Sequence, residues 1–142
     1  MLKETVTYID YNENERTDEL YFNLTDAEIM ELELSTPGGL AGMINRVIAA
    51  QDQPTIIKIF KDFILKAYGV ESPDGKRFIK NDEVRAEFEQ SEAYSIMFMR
   101  LATDAKYAAE FVNGLVSAEK RQAIAQKLNN NVTQIGVAPT TK

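Results

Sequence analysis

The sequence predicts an α+β chain that is mainly α. A short N-terminal β-hairpin leads into a bundle of about six helices and a flexible C-terminal tail. Three observations predict this. β-branched and aromatic residues alternate with others only in the first two dozen positions. From Thr25 onward, capping residues repeatedly precede apolar residues spaced one helical turn apart. The last dozen positions are polar and include Gly136 and Pro139.

In the hairpin, Val6, Tyr8 and Asp10 alternate with Thr5, Thr7 and Ile9. The stretch from Tyr11 to Arg16 is polar and turn-rich, and Leu20, Tyr21, Phe22 and Leu24 resume the apolar pattern. An isolated hairpin is barely stable in water, so this one has to pack on the helices or on another chain. Thr25-Asp26-Ala27-Glu28 is a capping box that opens a helix carrying Ile29, Leu32 and Met30 inward. Ser35-Thr36-Pro37-Gly38-Gly39 stops it. A second helix is expected near Leu40 to Gln51, with Met43, Ile44, Val47 and Ile48 on one face.

Asp52-Gln53-Pro54 marks the start of the third helix. Its inner face is Ile56, Phe60, Phe63, Ile64 and Ala67, widened by Ile57 and Ile59, and Gly69 is its expected C-terminal stop. Val70 to Lys80 reads as a loop around the turn Ser72-Pro73-Asp74-Gly75. Asn81 or Asp82 caps the next helix, with Val84 and Phe88 inward. Ser91 opens another, with Tyr94, Met97, Phe98 and Leu101 one turn apart. Thr103 is the expected cap of a helix bearing Ala105, Ala108, Phe111, Val112 and Leu115. Ser117 starts the last, with Ile124 and Leu128, and Asn129-Asn130-Asn131 is expected to end order. Residues 1–129 therefore read as one domain, hairpin 1–24 and helices 25–129, with 130–142 as the flexible tail.

Composition narrows the chemistry. The chain has no cysteine and no histidine, which removes disulfides, thiolate metal sites, the commonest general base and the commonest transition-metal ligand. The net charge of −6 disfavours binding to phosphate backbones. Lys58, Lys61 and Lys66, diluted by Asp62, read as the wet face of a helix, so no nucleic-acid partner is expected. Met1-Leu2-Lys3-Glu4 begins no signal-peptide pattern and no window is apolar enough to span a bilayer, so a cytoplasmic chain without a membrane partner is expected.

Asp10-x-Asn12-x-Asn14 begins like a calcium loop. Glu15 stands where that loop needs Gly, and Tyr21 where it needs the bidentate Glu, so a hairpin turn is the expected reading. Gly38-Gly39 lacks the following Lys-Ser/Thr of a phosphate loop and reads as a connector. The acidic pairs Asp18/Glu19, Glu31/Glu33, Asp82/Glu83 and Glu87/Glu89 read as solvated surface rather than as the converging carboxylates of a hydrolase. Catalytic residues, metals and cofactors are accordingly expected to be none. Tyr94, Phe98, Tyr107 and Phe111 form the candidate protein-binding set, with Phe98 and Phe111 the more core-like and the tyrosines partly exposed.

Several short segments, in their order and spacing, carry a resemblance. They are Asp18-Glu19-Leu20-Tyr21-Phe22-Asn23-Leu24, the run from Glu31 to Leu40, Lys66-Ala67-Tyr68-Gly69, Asp74 to Lys80, and Ser91 through Phe98 to Asp104. Across roughly residues 1–115 the chain resembles the tail assembly chaperones of long-tailed phages and prophages of Gram-positive bacteria. The resemblance implies a non-enzymatic protein of the host cytoplasm that binds the tape measure protein, keeps it soluble, helps recruit the major tail protein and is absent from the mature virion. It also implies a longer frameshift product, and self-association through the hairpin edge is a further expectation. Alternatives from other classes are a generic helical adaptor, a tail completion subunit retained in the virion, and a carboxylate-dependent hydrolase.

Overall fold

The computed structural model describes residues 1–49 and 53–134. The expected start at Asp52, the end of the second helix near Gln51, and Gly136 and Pro139 of the tail lie outside the described residues, as do the side chains of Val47, Ile48 and Ile56. Two strands open the chain, β1 (Leu2–Ile9) and β2 (Glu15–Phe22), paired antiparallel from Leu2 opposite Phe22 to Ile9 opposite Glu15. The alternation holds. Leu2, Glu4, Val6 and Tyr8 turn inward, while Lys3, Thr5, Thr7 and Ile9 face solvent. Asp10 builds the connecting turn: one carboxylate oxygen accepts the amides of Asn12 and Asn14, each at 2.9 Å, and the other pairs with Arg16. Glu13 takes the left-handed conformation with φ 64°. The calcium-like spacing is thus spent on the turn itself.

Helix α1 (Asp26–Ser35) starts at the complete capping box of Thr25 and Glu28. It is followed by α2 (Gly39–Ala49) and α3 (Gln53–Ala67). At the connector Gly38 and Gly39 have φ 77° and 70°, where a side chain is strained. Glu33 of α1 reaches across it, its carboxylate accepting the Leu40 amide at 3.0 Å. An anion is therefore already supplied to the first turn of α2 from within the chain.

The stretch expected as a loop contains two strands. β3 (Tyr68–Glu71) pairs with β2 through Tyr21 opposite Gly69 and Phe22 opposite Tyr68, and β4 (Phe78–Ile79) pairs with β3. The sheet has four antiparallel strands in the order β1-β2-β3-β4. Gly69 is a strand residue, not a helix stop. A Cβ there would lie 2.6 Å from the Phe78 ring and 2.9 Å from the Ile79 carbonyl, so the glycine permits close approach of β4. The predicted turn joins the two strands, with the Gly75 amide on the Ser72 carbonyl at 2.9 Å and φ 73° at Gly75. Ser72, buried, donates to Asp74 at 2.6 Å and accepts the Arg77 amide at 3.0 Å.

Four helices complete the described chain: α4 (Asp82–Glu89), α5 (Glu92–Thr103), α6 (Ala105–Leu115) and α7 (Ala118–Gln134). Asn81 caps α4 and Ser91 caps α5, as their positions predicted. Asp104 rather than Thr103 caps α6, because the Thr103 hydroxyl is bonded back to the Met99 carbonyl at 2.7 Å and stays within α5. Ser117 accepts the Lys120 amide at the start of α7. That helix runs through Asn129–Asn131 to Gln134, beyond the expected end of order: asparagine lowers helix propensity by only a fraction of a kcal/mol and does not terminate a helix as Gly or Pro does. Seven helices thus stand among the described residues, against about six expected.

The core lies between the inner face of the sheet and the helices. Val6, Phe22, Leu24, Ile29, Leu40, Ile64, Met97, Leu101, Val116 and Ile124 are fully buried. Phe22 is its centre, with edge-on contacts to Tyr68, Phe88 and Phe111 at 5.8, 6.0 and 5.2 Å between ring centres.

Candidate protein-binding site

Ser91 and Asp104 each cap a helix through the amide three residues on, which places Tyr94 and Tyr107 at matching positions in α5 and α6. Phe98 and Phe111 follow one turn later, 6.0 Å from Tyr94 and 6.4 Å from Tyr107 between ring centres. The two pairs do not form one patch. They are the ends of a chain of rings that passes through the core from Tyr107 and Phe111 to Phe22, Phe88, Tyr94 and Phe98.

The two ends differ in what they offer a partner. Phe111 is 3% exposed and belongs to the core. Tyr107 is partly buried; its hydroxyl donates to the Glu4 carboxylate of β1, and the Arg100 guanidinium lies 5.3 Å from its ring centre. Burial, reinforced by the Glu4 carboxylate, pushes the Tyr107 phenol well above the ordinary tyrosine value. At the other end, Tyr94 and Phe98 are also partly buried, and Tyr94 lies near the exposed Lys61 and Asp62 of α3. Burial raises the Tyr94 phenol as well, opposed by the Lys61 ammonium.

A second surface was not singled out from sequence. A cleft of about 530 Å³ opens between α1, α2 and α3. Leu32, Met43, Ile59 and Phe63 give it apolar walls, closed at one side by Ser35, Thr36 and Pro37. Among the described residues, Arg46, Lys58 and Lys66 line it with one carboxylate, Asp62. The lysines read as a wet helix face therefore divide. Lys61 pairs with Glu89 at 3.2 Å on the side of Tyr94, whereas Lys58 and Lys66 border the cleft. The available signal was the alternation of Lys58, Asp62 and Lys66 with Ile59 and Phe63 on one helix, but which apolar residues stay accessible depends on how α1 and α2 sit.

Several acids of the four pairs have structural partners. Asp18 accepts the Tyr8 hydroxyl, Glu19 pairs with Lys3, Glu31 with Lys66 and Asp82 with Arg85. Among the described residues no three acidic side chains gather to hold a metal ion, and no helix is long and apolar enough to cross a membrane.

No curated protein and no solved structure matches the chain. The family described as phage tail assembly chaperone matches residues 1–140, nearly the whole sequence, and points to a non-enzymatic role among phage tail proteins. On that match the chain belongs to the phage tail assembly chaperone family.

Proposed function

We propose that this chaperone binds the tape measure protein of its phage in the host cytoplasm, keeps it soluble, helps bring the major tail protein to it, and leaves before the virion is complete. The observation that carries the reading is the family match over residues 1–140. The geometry supports it: an apolar cleft and the ring pair Tyr94 and Phe98 flank one helix, α3. Amphipathic helical segments bind other proteins by laying an apolar face into such a cleft. Many copies along one rod need only modest affinity each, since simultaneous engagement multiplies it, and modest contacts are readily displaced.

Of the aromatic set, Tyr94 and Phe98 are assigned to the contact surface, while Tyr107 and Phe111 hold α6 against the sheet. Co-expression with the tape measure protein tests the function, with and without the longer frameshift product. Soluble tape measure protein carrying many copies of the chain is expected. An insoluble tape measure protein in both arms, or abundant peptides of this chain in purified virions, would overturn the reading. Tyr94→Ala with Phe98→Ala should release the tape measure protein while leaving the helical circular dichroism unchanged; unchanged capture would remove both residues from the surface.

A further inference from the structure

We infer that the cleft between α1, α2 and α3 takes an amphipathic helix with carboxylates on its flank, spaced two helical turns apart. The inference rests on the reading of the chain as a binder of tail proteins and specifies the chemistry of what it binds. The cleft volume, about 530 Å³, falls within the range of ligand-binding clefts. Its walls include Met43, whose flexible thioether adapts to different apolar shapes.

Charge selects the class of occupant. The whole chain carries −6, yet among the described residues three cations, Arg46, Lys58 and Lys66, stand around this cleft against two carboxylates, Asp62 in its lining and Glu31 paired with Lys66. The local field is therefore opposite in sign to that of the protein, and it favours an acidic partner. Lys58 and Lys66 are eight residues apart on α3, about 12 Å along the helix axis at the usual rise. Asp62 lies midway between them. A small anion needs converging cations, whereas this arrangement spreads them along a trough. It matches a second helix whose carboxylates fall at positions i and i+7 or i+8, on one face by helical periodicity, with no acid at i+4 opposite Asp62. Lys58 pairs with Asp62 at 3.0 Å and Lys66 with Glu31 at 3.7 Å, and the carboxylate side chains are 65% and 73% exposed. Such solvated pairs contribute little and give way to a partner's carboxylates.

The test uses fluorescently labelled helical peptides of about four turns, read by anisotropy at low salt. One carries an apolar face with glutamates at i and i+7. A second has lysines in their place, and a third keeps the glutamates but replaces the apolar face with serine. The acidic amphipathic peptide should bind at least about tenfold more tightly than either twin. The double variant K58E/K66E, with Lys58 exposed and Lys66 half-buried, should reverse the preference between acidic and basic peptides, and circular dichroism verifies that it folds. Equal binding of the two, or an unchanged order in the variant, overturns the inference. So does a wild-type dimer in sedimentation that K58E/K66E dissociates, since the cleft would then be an interface between copies. If wild type solubilises the tape measure protein and K58E/K66E does so equally well, the cleft assignment falls and the chaperone reading stands. If wild type itself fails, the chaperone reading falls, and the peptides alone judge the cleft.

Discussion

Lys80 ties three segments together, and removing it should cost more than a surface lysine does. Its ammonium donates to the Asn23 carbonyl at 2.6 Å and to both oxygens of Glu28 at 2.8 and 2.9 Å. Glu28 is also the capping residue of α1, accepting the Thr25 amide at 2.9 Å. The pair thus links β4, the end of β2 and the start of α1, and α1 supplies Leu32 to the cleft. The Lys80 side chain is 9% exposed and that of Glu28 is 24% exposed. Breaking a buried pair costs about 3–5 kcal/mol, because one charge is left without its partner. In Lys80→Met the remaining charge, Glu28, still reaches water and keeps the Thr25 amide, so we expect a smaller loss of about 2–3 kcal/mol. In Glu28→Gln the stranded charge is the more deeply buried ammonium, and about 3 kcal/mol is expected. The double variant should cost about 3 kcal/mol rather than the sum, giving a coupling near 2 kcal/mol.

Urea unfolding at pH 7 measures all four proteins, and each kcal/mol should move the thermal midpoint by about 4 °C for a domain of this size. Burial would raise the Glu28 carboxyl, but the Lys80 ammonium and the Thr25 amide outweigh it and hold the group below the usual carboxylate range. A lowered folded value means that its contribution is present above the ordinary glutamate pKa and is lost as pH falls through the folded one. Glu28→Gln should therefore flatten the acid limb of the stability profile. Losses that simply add, with coupling under about 0.5 kcal/mol, would refute the picture of one cooperative link.

Two further outcomes follow from the same packing. Gly69→Ala places a Cβ 2.9 Å from a backbone oxygen that cannot swing away, so β4 must shift. We expect a loss of at least about 2 kcal/mol by thermal unfolding, and a change under about 0.5 kcal/mol would show that the β3–β4 pairing is not rigid there. Tyr107→Phe removes the hydroxyl held by Glu4 and should cost about 1–2 kcal/mol at pH 7. Because burial raises the Tyr107 phenol in the folded state, its contribution is intact below the ordinary tyrosine value near 10 and is lost as pH rises beyond it. Stability curves from pH 8 to 11 should therefore fall less steeply for Tyr107→Phe than for wild type; parallel curves would detach the residue from the alkaline limb.

The positions of the four candidate rings on their helices were legible in the sequence, but their surroundings were not. Tyr94 and Phe98 stood out by their spacing, and their one-turn separation on α5 follows from helix geometry alone. The same spacing marked Tyr107 and Phe111, yet these point into the core and onto β1. Helical periodicity gives a face without saying what covers it. The cleft beside Lys58 and Lys66 was hidden for the converse reason: its walls come from three helices, and Leu32, Met43 and Phe63 look like ordinary core in each helix taken separately.

What the sequence by itself determined was mostly settled within a few residues. Thr25 with Glu28, Asn81 and Ser91 set helix starts because a cap needs only the amide two or three positions on. The outward set Thr5, Thr7 and Ile9 was set by the pleat, whose period is fixed by the backbone. Tertiary structure alone decided that Tyr68–Glu71 and Phe78–Ile79 are strands. Short strands have almost no stability of their own, and β3 forms because Tyr21 and Phe22, distant in sequence, offer it a free edge. It also decided that Gly69 serves close packing rather than helix termination, since that role depends on where Phe78 and Ile79 return.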